Sequence, residues 1–164
     1  MHQTVLLLGG NLEQVHENLI KASELIETEL GDIVSRSAFY ESLAWGFDSQ
    51  DNFLNQVLIL NTLLNPFELL SKAQNIEKQL GRITKSNHNV YESRIIDIDI
   101  LFYENHIIDT IELKVPHPSL HKRRFTLTPL NEVLPNFIHP VIKQPIHVLL
   151  SELEDTSWCK QWIQ

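Results

Sequence analysis

The chain has almost no cysteine. Cys159 stands alone among 164 residues, so an intrachain disulfide is excluded and a reducing compartment is the simpler setting. Apolar runs are short as well. TVLLL near the amino terminus is too brief for the apolar region of a secretion signal, and no stretch approaches a membrane span; a cytoplasmic protein with no membrane partner is expected. Basic charge is scarce: 13 Lys and Arg against 21 Asp and Glu leave a formal net charge of −8, without the basic footprint that general nucleic-acid binding needs. Linkers, repeats and low-complexity tracts are missing, and the seven prolines are scattered. What is present is globular: 43% hydrophobic and 21% charged residues, in a length that suits one domain over 1–164 without disulfide or metal staples. The few cations are also uneven, because eight of the thirteen fall between Lys78 and Arg124. Solvated surface or a local anion site would both explain that concentration.

The order of elements follows from periodicity. TVLLLGG reads as a buried strand ending at two glycines, and Asn11 with Gln14 resembles a capping box. Leu12, Val15, Leu19, Ala22, Ile26 and Leu30 recur at helical spacing, and Gly31 terminates the stripe. DIVSRSAFYES and NFLNQVLILNT read as an antiparallel strand pair joined by a polar loop around AWGFDSQD. Asn65, Pro66 and Glu68 supply the start of a second helix, whose stripe is Leu69, Leu70, Ala73, Ile76 and Leu80, closed by Gly81. ITKSNHNVYES is then long enough to be a functional loop. A fourth strand, SRIIDIDILFY, completes β-α-β-β-α-β, the ferredoxin-like arrangement of an α+β protein, with short carboxy-terminal helices at PLNEVL and HVLLSEL.

That last strand carries Asp97 and Asp99. Side chains alternate across a strand, so the two carboxyls share a face, about 7 Å apart at Cα, and Ile96, Ile98 and Ile100 take the other. Like charges held side by side require a proton or a cation. A solvated edge strand is one explanation; a site for hard cations such as magnesium, completed by phosphates, is the other. Arg94 has the opposite parity and reaches such a site only from the entering loop. Arg82, Arg94, Arg123 and Arg124 are either surface charge or clamps for phosphate oxygens. His117 and His121, four apart, invite a zinc reading that flanking prolines weaken; His117 bonding a phosphate, or capping a turn, are the alternatives. Gly9-Gly10-Asn11 lacks the P-loop pattern and reads best as a tight turn.

Six pieces in register, GGNL, FYES, FLNQV, QNIEKQLGR, SRIIDIDIL and VPHPSLHKRRF, resemble the 6-hydroxymethyl-7,8-dihydropterin pyrophosphokinase family of folate biosynthesis, from Gly9 to beyond Pro129. The resemblance implies transfer of diphosphate from ATP to the pterin hydroxymethyl group, releasing AMP. Asp97 and Asp99 match the family's ligands for two magnesium ions. Arg82, Arg94 and Arg123 match phosphate-binding positions, with Arg82 and Arg94 grouped with the aspartates as catalytic. Gln74, Glu77, Ile100 and His117 match nucleotide contacts. Asn55 matches the amide that reads the pterin, Phe53 and Phe125 the rings that stack on it, and Ser42, Leu43 and Trp45 the adjoining wall. The sequence departs from the family pattern at Gly10, usually serine, at Leu43 and Ala44, at Thr84, and at Tyr91, Glu92 and Ser93. Small-molecule substrates and a monomer are expected. The enzymatic rival is a nucleotidyltransferase with Asp-x-Asp, and a non-catalytic ferredoxin-like sensor is the rival outside catalysis. AWGFDSQDN and ITKSNHNVYES are expected to close over the substrates.

Overall fold

The computed structural model describes residues 1–12, 14–45, 51–81 and 95–163. Strand β1 (His2–Gly10) leads into helix α1 (Val15–Glu29), then β2 (Asp32–Arg36), β3 (Tyr40–Ser42), β4 (Phe53–Thr62), helix α2 (Pro66–Gln79) and β5 (Asp97–Tyr103). A two-stranded ribbon of β6 (Ile108–Asp109) and β7 (Lys114–Val115) follows, then a 3-10 turn at Leu120–Lys122, α3 (Arg124–Val133), α4 (Ile146–Ser151) and β8 (Cys159–Gln161). The main sheet runs β5-β1-β4-β3-β8, with β2 also beside β4, and these pairings are antiparallel. With β2 and β3 as halves of one interrupted strand, this is the expected ferredoxin-like order.

Alternation along the strands builds a core on each face. Leu6, Leu8, Leu58, Ile98 and Ile100 point toward Leu19 and Ile26 of α1 and Leu69 and Ile76 of α2. Val5, Leu7 and Val57 point the other way, onto Leu127 and Leu130 of α3 and Ile146 and Leu149 of α4. The carboxy-terminal helices thus cover the second face of the same sheet.

Two local expectations change, and one strand is added. Helix α1 starts at Val15, and its N-cap, Gln14, sits at φ 49° without a side-chain cap bond, so the Asn11 capping box does not form. The reason is that Gly9 and Gly10 remain in the ladder opposite Asn55 and Leu54, and the chain uses the next residues to turn out of the sheet. The second strand breaks because Ser37 takes over its pairing. The Ser37 hydroxyl accepts from Val57 N at 2.9 Å, and the Ser37 carbonyl accepts from the Gln56 amide at 2.9 Å. Strand β8 is too short and polar to show any alternation in sequence. By contrast α2 begins as read: the Asn65 side chain accepts from Phe67 N and Glu68 N, both at 3.0 Å, while Asn65 N donates to Glu68 Oε2 at 2.9 Å.

Candidate active site

The register of β5 settles where the aspartates point. Asp97 lies opposite Gly9 and Asp99 opposite Leu7, and Leu7 packs on the α3 and α4 face, so both carboxyls project to that side. Following the partners across the sheet gives one continuous row: Asp97, Gly9, Asn55, Tyr40. Gly9 therefore lies inside a strand, not in the tight turn expected for it. Within 4 Å, a Cβ there would meet Asn55 Oδ1 at 3.0 Å and the Leu54 carbonyl at 3.9 Å, among the described residues. The missing side chain leaves a shallow floor between the acidic pair and the Asn55 amide. At Gly10 the constraint is backbone: a Cβ would stand 2.6 Å from the Ile95 carbonyl oxygen. Glycine in place of serine goes with this close approach of the segment entering β5.

Asn55 is 2% exposed, and its amide donates to Ser42 Oγ at 3.1 Å and to the Tyr40 carbonyl at 3.4 Å. These bonds orient the amide and leave its oxygen over Gly9. Tyr40 in turn is tied to α3. Burial, reinforced by a hydrogen bond to Glu132, pushes its phenol up to about 12, and both Glu132 carboxylate oxygens accept from Ala38 N at 3.1 Å. Phe53 is half-buried two residues before Asn55, on the same face. Leu43 is 52% exposed, so the wall residue expected there stands largely in solvent. The Arg123 guanidinium lies 4.6 Å from the ring centre of Trp45 and 5.6 Å from that of Phe125. The Arg123 side chain thus meets two aromatic residues.

His117 reaches the same region through a defect in the ladder. Leu6 pairs with Ile100 but Val5 pairs with Phe102, so Leu101 is an extra residue, and its carbonyl accepts from His117 N at 3.0 Å. The His117 Nδ1 accepts from Ser119 N at 3.2 Å, which puts the proton of the neutral ring on Nε2. Burial pushes its pKa down; Asp99 and Asp97 pull it up and Arg123 opposes them, which shows that the four groups share one electrostatic neighbourhood. The turn-capping reading of His117 is therefore correct, and its free edge still presents a donor. His121 faces His139 instead, with ring centres 6.1 Å apart, and no group of three or more metal-ligating side chains occurs among the described residues. The zinc reading receives no support from these residues.

From α2 come Gln74, half-buried, and Glu77, buried. Glu77 Oε1 accepts from Ile98 N at 2.8 Å, so its carboxyl is turned to the strand. The Ile100 side chain belongs to the core beneath the helices, leaving only its main chain to contact a nucleotide. Arg82 and Arg94, with Thr84 and Tyr91 to Ser93, fall outside the described residues, as does most of each expected closing loop.

Sequence reasoning missed three participants. Gly9 was open to discovery, because a glycine inside an apolar strand pattern marks a close approach. Glu132 and Asp155 carried no signal. Asp155 Oδ2 accepts from Arg124 N at 3.0 Å, and the Asp155 carbonyl accepts from Arg124 Nε at 2.8 Å, capping the start of α3 beside Arg123 and Phe125. Burial opposes ionisation of Asp155, but hydrogen bonds from Ser157 and Arg124 N and the Arg124 charge outweigh it and hold the carboxyl below its ordinary range.

The donor set suits a hard divalent cation: two carboxyls on one strand face, bordered by a glycine floor.

Known proteins resemble this chain in sequence and in fold. Residues 5–135 match the 7,8-dihydro-6-hydroxymethylpterin-pyrophosphokinase family. A protein of Aquifex aeolicus named 2-amino-4-hydroxy-6-hydroxymethyldihydropteridine pyrophosphokinase is 46% identical over 139 residues, covering 85% of this chain and 84% of its own. One of the same name from Porphyromonas gingivalis is 42% identical over 141 residues, covering 85% and 95%. Among solved structures, a Plasmodium falciparum HPPK-DHPS triple mutant shares the fold with a TM-score of 0.77 at 20% identity; the match covers 92% of this chain but 44% of that longer one. The chain is accordingly a member of the 7,8-dihydro-6-hydroxymethylpterin-pyrophosphokinase family.

Proposed function

We propose that the protein transfers the terminal diphosphate of ATP to the hydroxymethyl oxygen of 6-hydroxymethyl-7,8-dihydropterin, a step of folate biosynthesis. Family membership supplies the reaction. The observation that carries the site assignment is the row Asp97, Gly9, Asn55, Tyr40 on one sheet face, with His117 and Arg123 beside it.

Adjacent strands are about 4.8 Å apart, so the acidic end of the row and Asn55 lie roughly 10 Å from each other. That span is comparable to a bicyclic pterin with its hydroxymethyl arm. In this reading Phe53 and Phe125 hold the flat ring between them, Asn55 reads its edge, and the arm crosses Gly9 toward Asp97. The ring adds wall contacts to Ser42, Leu43 and Trp45. His117 Nε2–H and the Arg123 guanidinium bind phosphate oxygens, Arg82 and Arg94 join them, and Gln74 and the Ile100 main chain border the nucleotide. Two magnesium ions on Asp97 and Asp99 would supply charge neutralisation for the triphosphate. The bond from the hydroxymethyl oxygen to the β-phosphorus forms as the bond from that phosphorus to the α,β-bridging oxygen breaks. AMP leaves with the bridging oxygen, and the hydroxyl proton passes to solvent. A monomer acting in the cytoplasm is consistent with ATP as co-substrate and with the single cysteine.

The decisive assay incubates the protein with ATP, magnesium and hydroxymethyldihydropterin and follows AMP. Folded protein that forms no AMP refutes the reading.

A further inference from the structure

Strand β5 closes the main sheet at one end, so among the described residues one edge of it has no neighbouring strand. Such an edge has main-chain N–H groups outside any ladder and frays readily. Here Ile98, the residue between the two aspartates, donates its N–H across that edge to Glu77 Oε1 at 2.8 Å, and Glu77 is only 2% exposed. Asp97 and Asp99 are held from the inner side, by the register with Gly9 and Leu7 of β1. Pairing with β1 fixes their order along the strand, and the bond on the outer side at the intervening residue ties the strand to α2 between the two aspartates. The hydrogen bond is charge-assisted when the carboxyl is ionised, and α2 presents it from a buried helical turn whose Ala73 and Ile76 are themselves in the core.

We infer that Glu77 is a positioning residue: by anchoring the Ile98 amide it sets the outward angle at which Asp97 and Asp99 present their carboxyls together. The inference rests on the proposed cation role of the pair. It gives Glu77 a task different from the nucleotide contact that resemblance alone assigns to it.

Three variants and three readouts test it. Glu77→Gln keeps an acceptor oxygen for the Ile98 amide and loses only the ability to ionise; Glu77→Leu removes the acceptor; Glu77→Ala is the smaller replacement should the Leu variant not fold. Hydrogen exchange at the Ile98 amide is read first, in the full chain without ligand. Binding of Mn2+ in the presence of a non-hydrolysable ATP analogue is read second. The expected result is at least tenfold faster exchange at Ile98 and at least tenfold weaker Mn2+ binding in the Leu or Ala variant. In the Gln variant both should stay within about threefold of the parent. Turnover of the Leu or Ala variant should fall in kcat while the pterin KM holds, a split that general loosening of the fold would not produce. Unchanged Ile98 exchange without the acceptor overturns the inference, and so does tenfold loss of Mn2+ in Glu77→Gln with the amide still protected. Should the parent protein make no AMP, the exchange and Mn2+ readouts still decide the role of Glu77 separately.

Discussion

His139 offers a test of the second core that is independent of turnover. Its ring is 3% exposed, lies 5.6 Å from Phe102, and uses Nδ1 to accept from Val141 N and Ile142 N, both at 3.2 Å. Burial, and then the nearby His121, lower its pKa from the ordinary 6.5 to about 4. A base whose folded value lies below its unfolded value destabilises the fold as pH falls, because the unfolded chain takes up the proton first. The window is therefore pH 6.5 down to about 4. At ~1.4 kcal/mol per pH unit the full effect is about 3 kcal/mol, most of it lost by pH 4.5. Asparagine at this position can offer an oxygen to the same two amides without titrating. Denaturant unfolding of the parent and of His139→Asn, at pH 7 and pH 4.5, isolates the effect. The variant should be less stable at pH 7, by about 1–2 kcal/mol from the lost ring packing. On acidification it should lose about 2–3 kcal/mol less than the parent. Parallel losses in the two proteins would refute the burial argument.

Other measurements address the site. Asp97→Ala and Asp99→Ala should each lower kcat at least a hundredfold while the unfolding midpoint stays near that of the parent; normal turnover in either removes the metal assignment. Gly9→Ala puts a methyl against the Asn55 amide oxygen, so the pterin KM should rise about tenfold with little change in the ATP KM, read by initial rates. Asp155→Ala uncaps α3 and should cost about 1–2 kcal/mol in denaturant unfolding at pH 7. That deficit should shrink as pH falls through the depressed Asp155 pKa, because protonation removes the same stabilisation from the parent.

Much of this protein was legible in one dimension, and the reason is that local periods are written into residue spacing. The two helical stripes, the Asn65 capping box and the shared face of Asp97 and Asp99 each follow from spacings of two, three or four residues, and the structure has them. The six family motifs likewise needed only order and distance along the chain. What tertiary structure alone decided is which strands became neighbours and in what register. That Gly9 stands between Asp97 and Asn55, that an extra Leu101 turns its carbonyl to His117, and that Glu77 meets Ile98 are all contacts between residues far apart in sequence. Strand β8 joined β3 without any alternation to announce it, and Ser37 broke a strand that the pattern ran through. Such contacts depend on closing loops and packing two faces of one sheet at once, and no residue's own spacing records the outcome.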